Sequence, residues 1–229
     1  MPIVVRNPVR TDPVVAAAFS RFGVATVHEA QRRTGLLDPR LRPIHAGSRI
    51  AGTALTVSVP PGDNWMIHVA VEQCRRGDVL VVAPTSHSEA GYIGELIATA
   101  LRAHGALGVV IDAGCRDVAE LTRMGFPVWS ACVSAYGTVK QTLGDVNVPV
   151  VCAGQLVNPG DVVVADDDGV VVVPRAGAAE VLEASRQREE KEARSRKRYE
   201  DGELSLDVSA MRDRLAAGGL VYVDAEDAR

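Results

Sequence analysis

The sequence is poor in the residues that mark several protein classes. Only 4% of its 229 residues are aromatic, and 29 acidic residues outnumber 25 basic ones, so no broad basic surface for nucleic acid phosphates is predicted. No apolar run approaches the roughly 20 residues that span a bilayer, and the first residues lack the apolar core of a signal peptide. We therefore expect a cytoplasmic protein that binds neither nucleic acid nor membrane.

Cysteine and lysine are also scarce. The four cysteines form no CxxC pair, which argues against a zinc ribbon or a disulfide framework and favours reduced, mostly buried thiols; they are Cys74, Cys115, Cys132 and Cys152. The three lysines are Lys140, Lys191 and Lys197. None lies in the candidate loops described below, which disfavours covalent catalysis through a Schiff base.

The first half of the chain alternates between helical and strand patterns. Residues 12–23 and 25–35 predict two short helices, the second with Thr26 as N-cap and Glu29 completing a capping box. A β-branched strand at 48–59 precedes a helical pattern at 64–77. The apolar strands "DVLVVAP" and "LGVVIDAG" flank an Ala- and Leu-rich helix, "AGYIGELIATALRAHG". Strand, helix and strand in this order predict a parallel crossover.

The second half changes character. Valine-rich strands separated by Gly, Asn and Pro predict an antiparallel portion, with a tight turn at 166–169. From residue 176 to about 203 the composition predicts a long polar helix, followed by a short helix, "LDVSAMRDRLAAGG", and by "LVYVD". We expect one α/β catalytic domain at 1–175 and a helical extension at 176–229 that packs on a neighbouring subunit.

A charged pair follows the apolar strand in "VVIDAGCRD". Ligands of α/β proteins bind where parallel strands end. Asp112 and Asp117 are therefore candidate oxygen donors for a hard cation, and the guanidinium of Arg116 is a candidate binding group for a carboxylate or enolate. The structural alternative is that Asp117 favours the first turn of a helix and Arg116 forms a surface ion pair.

A second candidate site is the segment "SEAGYIGELIATA". Gly91 and Gly94 allow close approach of the backbone to a ligand, and free N–H groups at a helix start bind anions, while Glu95 adds a carboxylate. The alternative is a loop shaped by glycine. Asp63 or Asn64 is interpreted as an N-cap, and His28 is given no role.

Several segments together resemble the 4-hydroxy-4-methyl-2-oxoglutarate / 4-carboxy-4-hydroxy-2-oxoadipate aldolases, which are related to the regulator of ribonuclease E activity A. They are "ATVHEAQRRTGLL", "PGDNWMIHVAVEQ", "GYIGELIATA", "VIDAGCRDV", "FPVWS", "VPVVCAG" and "PGDVVVADDDGVVVVP". The resemblance covers nearly the whole chain. It implies an α/β/β/α sandwich around a central mixed sheet, similar to swivelling domains, with a helical C-terminal extension. It also implies a homotrimer or hexamer with active sites between subunits.

The resemblance implies specific roles for residues of this chain. Asp117 would bind Mg²⁺ or Mn²⁺ directly, and Arg116 would contact the oxo acid. Glu95, together with Glu29 and Glu192 of a neighbouring subunit, would hold metal-bound waters. The substrate carboxylate would lie on the backbone amides around Gly94, Glu95, Leu96 and Ile97. Cys115 stands where a small or apolar residue is common in the family, and Glu95 where some relatives have aspartate.

The implied reaction is a retro-aldol cleavage that releases pyruvate together with a second pyruvate or oxaloacetate, with decarboxylation of oxaloacetate as a side activity. One alternative is a non-enzymatic binding protein similar to the ribonuclease regulators. A second alternative is a phosphohistidine swivelling domain, for which the candidate histidine is His87 in "TSHSEAG". Substrate choice, Mg²⁺ versus Mn²⁺, and trimer versus hexamer stay open at this stage.

Overall fold

The computed structural model describes residues 1–225 and divides the chain into two compact units, residues 1–186 and residues from 187 onward. The helices are α1 (Pro13–Ala18), α2 (Val24–Ala30), α3 (Trp65–Gln73), α4 (Glu95–Ala103), α5 (Val118–Met124), α6 (Ala178–Glu200), α7 (Ser205–Val208) and α8 (Arg212–Ala217). The strands are β1 (Arg42–Pro43), β2 (Ile50–Val59), β3 (Asp78–Pro84), β4 (Gly91–Ile93), β5 (Gly108–Cys115), β6 (Val128–Val133), β7 (Asp145–Val146), β8 (Val150–Cys152), β9 (Gln155–Val157), β10 (Val162–Asp166) and β11 (Gly169–Val173).

One mixed sheet organises the first unit. Its strands follow the order β1-β6-β5-β3-β2-β10-β11, with β4 beside β5 and β7 beside β2. The central strands β2, β3, β5 and β6 are parallel, whereas β10 pairs antiparallel with both β2 and β11. The predicted parallel crossover, the antiparallel valine-rich portion and the α/β fold class with a central mixed sheet are therefore confirmed.

The sheet is buried on both faces, which explains why its strands are apolar without alternation. Leu80 and Val82 of β3 point into a cluster with the helices α3, α4 and α5, while Val79 and Val81 point into a cluster with the β8–β9 hairpin. A third cluster joins β10 and β11 to α1, α2 and the first turns of α6. The carboxyl ends of the parallel strands are thereby held at one edge of a rigid layer.

Two details of the helix starts differ from the sequence prediction. The N-cap at Thr26 is wrong, because α2 begins at Val24 and Thr26 lies inside it. A remote carboxylate takes the capping role: Asp166 Oδ2 accepts a hydrogen bond from Val24 N at 2.9 Å. The helix predicted to include "GYIG" begins only at Glu95, since residues 91–93 pair with β5 as a short strand.

The C-terminal helical extension also differs in detail from the structure that the sequence predicts. The single short helix predicted after α6 is two helices, α7 and α8. None of residues 187–225 is buried within the described chain. The long helix α6 is polar, and among residues 1–225 no helix is both long and apolar enough to cross a membrane.

Candidate active site

The two segments selected from the sequence meet at one edge of the sheet. Strand β5 ends at Cys115 and leads through Arg116 and Asp117 into α5, while β4 lies beside β5 and leads into α4. Arg116 N donates a hydrogen bond to Ile93 O at 2.8 Å, which ties the two loops together. The start of α4 therefore faces the charged pair that follows β5.

Asp117 has an unusual backbone conformation. Its φ of 56° and ψ of 40° place it in the left-handed region, which costs a non-glycine residue energy and recurs at functional sites. It occupies the N-cap position of α5, yet its side chain does not cap that helix. Instead Asp117 Oδ2 accepts a hydrogen bond from Glu95 N at 3.0 Å. The carboxylate is thus turned away from its own helix toward the first turn of α4.

Arg116 lies beside this carboxylate with a half-exposed side chain. Its Nε is 3.9 Å from Asp117 Oδ2, a distance too long for a hydrogen bond. The guanidinium makes no hydrogen bond to any residue among 1–225, so its donors are available to a ligand.

Glycine is required where the two loops approach each other. A Cβ on Gly94 would lie 2.3 Å from Asp117 Oδ2 and 3.2 Å from Arg116 Nε. A Cβ on Gly91 would meet Ser134 O at 2.4 Å. Both glycines therefore serve close packing between the loops rather than an unusual φ, which agrees with the alternative of a loop shaped by glycine.

A cavity of about 70 Å³ lies between these loops. Its polar lining consists of Arg116, Asp117, Asn64 and the start of α4. The first intrahelical hydrogen bond of α4 runs from Ala98 N to Gly94 O, so the preceding N–H groups of Leu96 and Ile97 have no partner within the helix. With the Glu95 amide engaged by Asp117, these two amides are the donors that remain for an anion.

Asn64 is the site residue that the sequence analysis missed. It was interpreted, with Asp63, as an N-cap, and Asp63 does accept a hydrogen bond from Trp65 N at 2.9 Å. Asn64 instead donates from Nδ2 to Tyr92 O at 3.1 Å, which leaves its buried Oδ1 without a hydrogen-bond partner among the described residues. Asn64 therefore lines the cavity, but its Oδ1 atom is not exposed to it.

The loop that carries Asn64 is fixed by a buried carboxylate. Asp63 accepts hydrogen bonds from the backbone amides of Trp65, Gln141 and Thr142 at 2.7 to 2.9 Å. Burial raises the pKa of the Asp63 carboxyl, but these amides favour its charged form more strongly, so its pKa lies below the usual value. Tyr92 adds a second anchor, because its hydroxyl accepts from Gly62 N and donates to Pro60 O.

The other predicted acids lie in different surroundings. Glu95 begins α4, and its Oε1 accepts a hydrogen bond from Thr99 Oγ1 at 3.0 Å. Glu29 does not line the cavity, and its carboxylate pairs with Arg33 at 2.9 Å. Glu192 belongs to the second unit, where it pairs with Arg188 at 2.8 Å. Asp112 is held by Arg40 and by Ala153 N, so it is engaged elsewhere.

The donor set of the cavity suits a hard divalent cation that keeps most of its waters. Asp117 supplies a carboxylate, which is a ligand type that Mg²⁺ and Mn²⁺ accept, and water can fill the other positions. No group of three or more His, Cys, Asp or Glu side chains is gathered for metal binding in the part of the chain that the structure describes.

Cys115 precedes the charged pair but lies in the core. Its Sγ is 3.3 Å from Ser130 Oγ and its side chain is fully buried. Burial raises the pKa of the Cys115 thiol, so the group stays protonated and is a poor nucleophile.

Comparison with known sequences identifies the family. Residues 24–172, about two thirds of the chain, match the family described as "RraA-like: Aldolase/RraA". The chain belongs to the RraA-like family. A curated relative from Halalkalibacterium halodurans, named "Putative 4-hydroxy-4-methyl-2-oxoglutarate aldolase", is 29% identical over 161 residues, which cover 70% of this chain and 77% of the relative.

Solved structures of other proteins share the fold of this RraA-like chain. A protein from Pseudomonas syringae pv. tomato superposes with a TM-score of 0.80 at 26% identity, over 89% of this chain and 96% of that one. Streptomyces coelicolor RraAS2, described as an unusual member of the RNase ES inhibitor RraA protein family, gives a TM-score of 0.74 at 28% identity, over 82% and 98%. The resemblance inferred from the motifs is confirmed at the level of family and fold.

Proposed function

We propose that this RraA-like protein is a divalent-metal-dependent pyruvate aldolase. Its substrate class is 4-hydroxy-4-methyl-2-oxoglutarate or 4-carboxy-4-hydroxy-2-oxoadipate, cleaved to pyruvate plus pyruvate or oxaloacetate. The observation that carries the proposal is the Arg116–Asp117 pair facing the unpaired amides of α4 across a small cavity. The name of the Halalkalibacterium halodurans relative supports the substrate class.

The cavity suits a 2-oxo acid. The substrate carboxylate binds the N–H groups of Leu96 and Ile97, which precede the first intrahelical bond of α4. Arg116 directs its free donors at the keto oxygen on C2, where negative charge develops. Asp117 would hold Mg²⁺ or Mn²⁺, and the ion would supply Lewis acidity toward the same oxo acid.

Cleavage then follows from charge stabilisation. A water at the site takes the proton of the C4 hydroxyl and C4 becomes a carbonyl carbon, while the electrons of the C3–C4 bond form the enolate of pyruvate. Arg116 stabilises that enolate, and a water positioned by Glu95 returns a proton to C3. Oxaloacetate reaches the same enolate by losing carbon dioxide, so decarboxylation is the expected side activity.

The active form is proposed to be a homo-oligomer, a trimer or a hexamer. In it, Glu29 and Glu192 of a neighbouring subunit approach Asp117 and hold water at the site. Both side chains are paired with nearby arginines of their own chain, Glu29 with Arg33 just after α2 and Glu192 with Arg188 within α6. These surface pairs contribute little free energy, so exchanging them for a role between subunits costs little.

Removal of the Asp117 carboxylate tests the proposal. Purified protein is incubated with Mg²⁺ and either aldol substrate or oxaloacetate, and pyruvate is followed with lactate dehydrogenase and NADH. Asp117→Ala should lower the rate by a factor on the order of 10³. Asp117→Gly, which relieves the φ of 56°, should be equally inactive but at least as stable. Asp167→Ala, which removes a carboxylate outside the cavity, is the matched control.

The second candidate function is a non-enzymatic binding protein, favoured by the likeness to Streptomyces coelicolor RraAS2. It predicts no pyruvate release with Mg²⁺ or Mn²⁺ and no effect of EDTA on the assay. Full activity of both Asp117 variants would contradict the assignment of the site. If the unmodified protein released no pyruvate, the proposed aldolase activity would be contradicted.

A further inference from the structure

A second cavity lies at the opposite end of the sheet from the candidate active site. It borders the amino end of β3, whereas Arg116 and Asp117 follow the carboxyl end of the parallel strand β5. Its volume is about 390 Å³, enough for a small organic molecule. The walls come from the segment around α1, from the start of β2 and from the loop between α3 and β3.

A buried ion pair lies behind the wall of this second cavity, which Arg10 and Thr53 line. Asp78 is fully buried, and its carboxylate accepts hydrogen bonds from Arg10 Nε and Nη2, both at 3.0 Å, and from Thr53 Oγ1 at 2.6 Å. The backbone amide of Arg75 adds a fourth at 2.9 Å. The charges of Arg10 and Asp78 therefore cancel, and the pair fixes the wall rather than attracting a ligand.

Two further arginines leave an excess of positive charge at the mouth. The Arg76 guanidinium is exposed and makes no hydrogen bond or ion pair with any residue of 1–225, while Arg75 reaches the side-chain oxygen of Asn7. Gly105 packs against the Arg76 backbone so closely that a Cβ there would lie 2.7 Å from Arg76 Cα. The one acid of the wall, Asp12, is engaged by Val14 N at 2.7 Å.

The remaining wall is apolar and made of small side chains. Ala16 and Ala17 of α1 lie across from Leu107, which is partly exposed. An amphipathic ligand fits this combination, since small apolar residues leave room for a hydrocarbon body and a guanidinium pairs with a carboxylate through two parallel hydrogen bonds. Inorganic phosphate would leave the apolar wall without a partner.

We infer that the cavity bordered by α1 and Arg76 binds a small organic carboxylate with an apolar body, at a site separate from the candidate active site. The carboxylate lies on Arg76, with Arg75 beside it, and the apolar body lies against Ala17 and Leu107. The inference is independent of the proposed aldolase activity, because no residue of the second cavity lines the first.

Calorimetric titration of the full-length protein with benzoate tests the inference. Benzoate should bind, and the neutral analogue benzamide and inorganic phosphate should bind at least tenfold more weakly. Arg76→Ala should weaken benzoate binding about tenfold or more, because it removes a charge-assisted pair. Ala17→Phe should weaken it too by filling the apolar part, at an exposed position that leaves the core unchanged.

Two control variants distinguish binding in this cavity from binding elsewhere on the protein. Arg194→Ala removes the same charge from an exposed position on α6 and should leave benzoate binding unchanged. Arg116→Ala should also leave it unchanged, since that guanidinium lines the other cavity. Loss of binding in Arg116→Ala, full binding in Arg76→Ala or Ala17→Phe, or phosphate binding as tight as benzoate would overturn the inference.

Discussion

At the scale of single residues, the site depends on the Asp117 carboxylate, which does not cap the helix that follows it. An aspartate at the N-cap position ordinarily accepts from the next turn, but Asp117 adopts the left-handed region and accepts from Glu95 N. The conformational cost is offset by the hydrogen bond and by the tight contact with Gly94. Strain of this kind is retained where position matters more than local stability.

Gly94→Ala should displace the Asp117 carboxylate while leaving the fold intact. The added Cβ falls 2.3 Å from Asp117 Oδ2, and this partly exposed side chain can move away, so the sheet and α4 need not shift. Misplacement of a catalytic group by about 1 Å costs on the order of 10²-fold in rate. The measurement is Mg²⁺-dependent pyruvate release, with far-ultraviolet circular dichroism to check the fold.

Gly177→Ala is the matched control, because nothing lies within 4 Å of the added Cβ. Its rate should equal that of the unmodified protein. Equal rates for Gly94→Ala and Gly177→Ala would show that the position of the Asp117 carboxylate does not matter for the reaction.

At the scale of elements, the parallel crossover was predictable, whereas the starts of α2 and α4 were not. Apolar strands with no alternation indicate a sheet buried on both faces, and that pattern located β3, β5 and the loop after β5. The start of α2 depends on Asp166, which is 142 residues away, so a local capping box was inferred instead. Residues 91–93 became strand rather than helix because β5 offers them a partner.

The residues of the candidate site also fall into those that the sequence pattern predicted and one that it did not. Arg116 and Asp117 follow a strand and Glu95 begins a helix, so the rule that loops meet at the carboxyl ends of strands brings them together. Asn64 reaches the cavity through its contact with Tyr92, a residue of another strand, and no local pattern encodes that contact. Contacts between distant segments are the part of the site that sequence pattern leaves out.

Asp63→Asn should destabilise the loop before α3 that carries Asn64. The substitution removes the charge that three backbone amides bind, with an expected loss of about 2 kcal/mol in the free energy of unfolding at pH 7. Glu72→Gln, which changes an exposed acid of α3, the helix that begins just after Asp63, is the control and should have no effect. Urea denaturation followed by tryptophan fluorescence measures both.

The pH dependence of this difference follows from the lowered pKa of Asp63. A carboxyl whose native pKa lies below its unfolded value of 3.8 stabilises the protein above that value and loses the contribution as pH falls through the native pKa. The stability gap between the unmodified protein and Asp63→Asn should therefore be constant near neutrality and shrink below about pH 4. A gap that is unchanged at pH 3 would exclude the charged carboxylate as its cause.

At the scale of the whole molecule, the two units differ in how they are stabilised. The first contains all three hydrophobic clusters, whereas none of residues 187–225 is buried within the chain. Leu220, Val221, Tyr222 and Val223 are all exposed in this unit. A polar helix with an exposed apolar segment gains little from its own packing, so its stability is expected to come from a neighbouring subunit.

Mixed oligomers test whether Glu192 acts between subunits. Asp117→Ala and Glu192→Gln should each abolish most pyruvate release when assembled alone. In a head-to-tail ring, refolding the two variants together at equal amounts pairs an intact Asp117 with an intact neighbouring Glu192 in about a quarter of the sites, so about a quarter of the activity should return. Full activity of Glu192→Gln alone would show that this carboxylate is not needed.

The control mixture combines Asp117→Ala with Gly94→Ala. Both lesions lie at the same edge of one sheet, where Gly94 contacts Asp117 within a single chain. Every chain in that mixture carries a damaged cavity, so no site is rebuilt and activity should stay at the level of the separate variants. If the mixture containing Glu192→Gln behaves like this control, Glu192 acts within its own chain, and the site is complete without a neighbour.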